Sequence, residues 1–458
     1  MNKDLFNGVF KWNPYVPNDN RGYQLYTPNC GNAGNGGVQP YVYTSWREEQ
    51  LSWYENCYLH AGLNPLNTYW FKGPDAMKFL SEYCVNNFEK FPVGKSKHAI
   101  MVNEEGLMMV DGMLLRLAED EFVTFSMYSY IEYAIKKSGY NIEGKNITGE
   151  VFLLQLGGPK SLEVVEAVTG ENFHDLPFLG HRKSKIDGRD VRILRVGMAG
   201  SLAYEVHGKF EDSVYVYQRL VDEGQKYNIH KLGQQAYWNT HTENGFPQSL
   251  IHFYYATEID KDYFDYQTKT GQNFRCGSVA KLTGSYSKDY RDRYFNPYEL
   301  GWGHIVNFNH DFLGKEALEK ISKSPHREMV TLEWNHEDIL DVERSQFEDK
   351  TPYFPIEGPV DIPQNGEFEY RGDQVLADGK CVGISTGRCF SWYYRKMLSL
   401  AVIKPEYATI GTEVKILWGD EDTRQKEIRA TVARFPYMDL ERNENIDTSN
   451  IPSGIQSK

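Results

Sequence analysis

Two Gly-Pro turns stand in matching contexts, and together they set an architecture. Gly73-Pro74-Asp75 and Gly158-Pro159-Lys160 each follow an apolar, strand-like run and precede a helical pattern. Glycine lets the chain reverse sharply, and proline's fixed φ suits the opening of a helix. After the first turn come Ala76, Phe79 and Leu80 at helical spacing, then the hairpin-like HAIMVNEEGLMMVDGMLLRLAEDEFVTFS. A helix, YSYIEYAIKKSGY, follows and stops near Gly139. After the second turn the order recurs: helix SLEVVEAVTG, hairpin RDVRILRVGMAGSLAYEVHG, helix FEDSVYVYQRLVDEGQKYNI. This β-α-β-β-α order is that of a split α+β sandwich, and its recurrence predicts two such units. From about residue 325 the pattern changes to alternating strands, with no convincing helix, as in a sheet sandwich or barrel. The acidic runs EWNHEDILDVE and DEDTRQKE read as solvated loops, and the polar tail after Tyr437 as loose.

The net charge of −13 argues against nucleic acid and anionic membrane surfaces as partners, since both call for a basic face. No run approaches the length of a membrane span, and the first twenty residues lack a signal-peptide core, so a cytoplasmic protein is expected. Cys30, Cys57, Cys84, Cys276, Cys381 and Cys389 show no C-x-x-C pairing and read as free thiols. NCGNAGNGG lacks the order of a phosphate-binding loop, and no metal-ligand spacing is present, so no metal is expected. Aromatic residues are abundant, with 32 Tyr, 24 Phe and 9 Trp. Tyrosine suits a pocket for a flat ring, offering a π face and a hydroxyl together.

One acid stands out. In GSLAYEVHG, Glu205 lies inside a strand-forming run, facing away from Tyr204 and Val206. Taken alone it reads either as part of a solvated face or as a ligand-holding carboxylate.

Several stretches now point the same way. KGPDAMKFLS, LQLGGPKSLEVV, RVGMAGSLAYEVHG, NPYELGWGHIVNFNHDFLGKEAL and the long segment from GKCVGISTG to EVKILWG occur in the order of one family. Over roughly residues 45–435 the chain resembles the glycine-cleavage T-protein superfamily of tetrahydrofolate-dependent aminomethyl- and methyltransferases. SWREEQ, AEDEFV, GQQAYWNTHTENGF and DRYFNPYELGWG are most similar to its vanillate and methylgallate O-demethylase branch. The resemblance implies an α+β, three-domain cloverleaf: two ferredoxin-like α+β halves, one discontinuous, plus a C-terminal β-barrel. The expected boundaries are 1–60 with 141–324 for the folate half, 61–140 for the second, 325–440 for the barrel, and a loose tail at 441–458.

The resemblance also implies roles. Glu205 would hold the pterin's amino-pyrimidine edge, Gln155 would lie against the folate, and Phe246 would stand where the demethylases carry a ring-wall Trp. Tyr237 matches the tyrosine that branch is thought to use in catalysis, contacting cofactor as well. Asp111 falls at or beside the family's acidic turn, a catalytic position, and an ordinary turn aspartate remains the other reading. The substrate side departs from the branch. AGLNPL replaces a D-Q-T-H-H-M-like stretch, and Met127 stands where an arginine would pair with a substrate carboxylate. His60, Asn64 and Met127 are the expected substrate-binding residues.

The implied activity is transfer of a methyl group from a methylated small molecule, an aryl methyl ether first, to N5 of tetrahydrofolate. A sulfonium or methylamine donor, an aminomethyltransferase, and a non-catalytic folate-binding protein are the alternatives. A Tyr hydroxyl, with an ordinary pKa of about 10, would protonate a phenolate leaving group.

Overall fold

The computed structural model describes residues 25–28, 38–64, 66–197, 200–270, 280–357 and 369–455. NCGNAGNGG and the thiols Cys30 and Cys276 lie outside them.

The second Gly-Pro turn opens the first α+β unit. Strand Val151–Gly157 ends in Gly158, whose φ of +99° and close approach to the Asn56 carbonyl leave no room for a side chain. Helix Ser161–Thr169 follows and is stopped by the left-handed Gly170. A six-stranded sheet runs His181–Ile186, Arg189–Leu194, Ala203–Lys209, Val151–Gly157, Cys57–His60 and Ile229–Lys231 in spatial order. All its pairings are antiparallel except the last. Helices Ser161–Thr169 and Ser213–Gly224 seal its core through Leu162, Val165, Val216 and Leu220.

The first turn opens the second unit in the same way. Strand Thr68–Lys72 leads through Gly73 into helix Ala76–Tyr83, which buries Ala76, Phe79 and Leu80. Here a five-stranded sheet runs Ser96–Val102, Met108–Ala118, Glu121–Phe125, Thr68–Lys72 and Glu143–Asn146. Helix Tyr130–Ser138 covers it and ends on the left-handed Gly139. The third part is a closed six-stranded barrel, from Glu328–Trp334 to Lys426–Ala433, with those two strands paired to complete it. The two α+β units and the barrel agree with the architecture expected from the sequence.

Three features differ from that expectation. The stretch after residue 250, assigned by sequence to the folate half, packs on the other unit: Tyr254, Ala256, Tyr263 and Leu282 join the core beneath the five-stranded sheet. The run EWNHEDILDVE forms strand end and helix, not a loop. Asn335 caps helix His336–Ser345 by accepting from the backbone N–H groups of Glu337 and Asp338, and the acids of the first turn complement the helix dipole. Nor is the tail loose. Arg195 donates to Asn443 and to the Ile446 carbonyl, while buried Glu166 accepts from Ser453 and the Gly454 N–H. Two buried charges thus fasten residues the sequence marks only as polar.

Candidate active site

A cavity of about 1000 Å³ lies between the two α+β units, with Phe435 and Pro436, just past the last barrel strand, among its lining residues. One wall is the six-stranded sheet. Antiparallel register sets Glu205 opposite Gln155 and Gln155 opposite His60, so the three form one row across three strands and share a face. Glu205 is buried to 5% exposure yet reaches the cavity, and its Oε2 accepts from His207 Nε2 at 2.9 Å. Gln155 is fully buried. Its Oε1 takes a long hydrogen bond of 3.4 Å from the Tyr58 hydroxyl, and its Nε2 has no partner among the described residues.

Helix Gln234–Glu243 brings Tyr237 to the same wall. Every residue of this helix is buried, which explains why its sequence shows no amphipathic stripe. Tyr237 lines the cavity and stacks on His60 with centroids 4.2 Å apart and planes 8° from parallel. His60 donates through Nδ1 to the Leu232 carbonyl, and burial pulls its pKa down to about 4, so the ring is neutral. His241 meets Tyr237 edge-on at 4.8 Å and is likewise held neutral by burial, near 4. Burial, and secondly the charge of Glu205, push the Tyr237 hydroxyl far above the ordinary tyrosine value.

The opposite wall comes from the other unit. Asp111 lies within strand Met108–Ala118, not in a turn as the family pattern suggested. Its Oδ1 accepts from the Tyr255 hydroxyl at 2.6 Å and its Oδ2 from His98 Nε2 at 2.7 Å. Burial, and secondly the Asp111 charge, hold the Tyr255 hydroxyl protonated. Phe246 is a ring wall as expected, set between His98 (5.5 Å), His241 (6.0 Å) and Trp302 (5.6 Å). Beyond Asp111 the cavity is walled by Tyr128, Tyr130, Tyr254 and Tyr263.

None of the three expected substrate residues lines the cavity. Met127 is fully buried in the core of the five-stranded unit, against Gly112, and does not reach the cavity. Its neighbours Phe125, Ser126 and Tyr128 line the cavity in its place. Asn64 clamps the backbone of Leu153, donating to its carbonyl at 2.6 Å and accepting from its N–H at 2.9 Å. His60 supports Tyr237 from beneath and is not itself among the lining residues. His98, Tyr255 and Trp302 escaped the sequence reading. The only signal was register: His98 is diagonal to Asp111 on the Ser96–Val102/Met108–Ala118 hairpin.

A cavity of this size combines a buried carboxylate with polar atoms that have no partner among the described residues: Trp238 Nε1 as a donor, Gln234 Oε1 and Gln248 Oε1 as acceptors, while the likewise unpartnered Gln155 Nε2 lies on the strand next to Glu205 and not in the cavity lining. Such an array fits a flat heterocycle carrying several donors and acceptors on its rim. Fold and site thus define a three-part protein with a polar, aromatic-walled cavity at the meeting of its two α+β units. Residues 38–266 match the model of the GCVT N-terminal domain, and 362–439 that of the glycine cleavage T-protein C-terminal barrel domain. The chain is 42% identical over 431 residues to sesamin methylene transferase of a Sinomonas species, spanning 92% of this chain and 95% of that protein. It is 33% identical over 434 residues to syringate O-demethylase of a Sphingobium species, spanning 89% and 92%. The solved aminomethyltransferase T of Bartonella henselae shares the fold, with a TM-score of 0.62 at 18% identity over 89% of this chain and 93% of that one. The chain belongs to the glycine-cleavage T-protein family, which its sequence motifs had indicated.

Proposed function

We propose that this protein transfers a one-carbon unit from the oxygen of an aryl ether to tetrahydrofolate, aryl methyl ethers being the first class. The observation that carries this is that Glu205 and Tyr237 line one cavity, with Gln155 opposite Glu205 on the neighbouring strand, in a chain similar along most of its length to an O-demethylase. Methylenedioxy ethers are a second class, favoured by the 42% identity to a methylene transferase.

The residues present fit tetrahydrofolate. Glu205 offers carboxylate oxygens to paired N–H donors, and Gln155 Nε2 and Trp238 Nε1 are buried donors in need of acceptors. When bound, the cofactor supplies the nucleophilic amine that receives the carbon. The protein's own tasks are alignment, exclusion of water and care of the leaving oxygen. Alignment of nucleophile and methyl carbon removes much of the entropic barrier. The departing aryl oxygen develops negative charge and needs a fixed donor.

Tyr237 is that donor in this reading, with a change from the sequence expectation. Burial pushes the pKa of its hydroxyl up, so the group keeps its proton in the resting protein. It donates a hydrogen bond instead, and the proton that ends on the aryl oxygen comes from water. The stacked, neutral His60 fixes the ring plane.

Tyr237→Phe keeps the ring and removes only the hydroxyl. Turnover of an aryl methyl ether is expected to fall about 10²–10³-fold, the range for one lost oxyanion donor. kcat and kcat/KM should fall together, with calorimetric tetrahydrofolate affinity unchanged. A variant as fast as the wild type would remove Tyr237 from this role.

A further inference from the structure

Across the cavity from Glu205, His98, Asp111 and Tyr255 form a chain of two short hydrogen bonds that the assignments above leave unused. Asp111 stands in the middle. Because a carboxylate only accepts, the 2.7 Å contact places a proton on His98 Nε2. Nδ1 is then the basic nitrogen, and it makes no hydrogen bond among the described residues. The ring is held on its other faces by Trp302, edge-on at 4.7 Å, and by Phe246 at 5.5 Å. An imidazole tied through one nitrogen to a carboxylate, itself steadied by a third group, with its other nitrogen left over, is the arrangement of an oriented base.

We propose that His98 is the base of the one-carbon transfer and that Asp111 and Tyr255 position it; this rests on the functional reading above. The chemistry requires such a group. When the alkyl C–O bond breaks and the C–N bond forms, the amine must shed its N–H proton while the aryl oxygen gains one from water. His98 Nδ1 takes the amine proton and passes it to water after product leaves, so protons and charge balance over the cycle. Asp111 is poorly placed for that task, since each of its oxygens already accepts a short hydrogen bond.

Two measurements decide it. In ¹⁵N-histidine-labelled protein without ligand, the His98 resonances should show Nε2 protonated and Nδ1 bare, and Nδ1 should shift when tetrahydrofolate is added. His98→Ala should lower kcat about 10²–10⁴-fold, with tetrahydrofolate affinity unchanged, and added imidazole should restore part of the rate. A proton on Nδ1, a Nδ1 signal indifferent to tetrahydrofolate, or a variant at wild-type rate would overturn the proposal. If wild-type protein turned over no aryl ether at all, the functional reading would fall. The tautomer and its response to tetrahydrofolate would still decide the placement of His98.

Discussion

In the proposed function, Glu205 is the residue on which tetrahydrofolate binding turns. It sits at 5% exposure on a sheet face, with one oxygen steadied by His207 and the cavity before it. Glu205→Gln keeps the shape and removes the charge, so a charge-assisted pair of hydrogen bonds becomes a neutral one. Calorimetric titration should show tetrahydrofolate binding weakened by about 1–3 kcal/mol, with the melting temperature little changed. An unchanged dissociation constant would return Glu205 to a structural role. Residues of this kind were legible in the sequence because regular strand alternation and a family motif both placed them. Met127 and Asn64 were not, since both lie in irregular segments where no period tells which way a side chain turns. His98 was illegible for another reason: a lone histidine in a strand carries no signal until the hairpin register brings Asp111 beside it.

At the scale of elements, the sequence marked helices best where glycine ended them. Gly139 and Gly170 take up left-handed conformations at the ends of their helices, as their positions in the sequence suggested. Helix His336–Ser345 was missed because its acidic face resembled a solvated loop. Only the Asn335 cap, followed by Glu337 and Asp338, distinguished it. That cap makes a prediction. Asn335→Ala removes the acceptor for two backbone N–H groups and the contact to Arg429, and should cost about 1 kcal/mol in urea unfolding. Because the helix lies on the outside of the barrel, demethylation should be unaffected. A variant of unchanged stability would mean the cap contributes nothing.

For the whole molecule, the pseudo-repeat and the barrel could be read from the order of elements, but how the parts are fastened could not. Contacts distant in sequence do that work. Arg195 and Glu166, at 5% and 0% exposure, take much of their hydrogen bonding from residues 443–454. Deleting 441–458 strands both charges in the interior and should destabilise the protein by about 3–5 kcal/mol, seen as a clear drop in melting temperature. A tail that could be removed without loss would contradict the docking described here. The central claim, that one wall holds tetrahydrofolate and the cavity before it delivers a carbon from an aryl ether, is tested most directly by following the carbon. Purified protein would be given tetrahydrofolate and aryl ethers carrying a ¹³C-methoxy or ¹³C-methylenedioxy group, and products read by NMR and mass spectrometry. The account predicts ¹³C on tetrahydrofolate, as a methyl group at N5 for the methoxy donors, in step with release of the phenol. Phenol released without labelled tetrahydrofolate, or no turnover of any aryl ether, would contradict it.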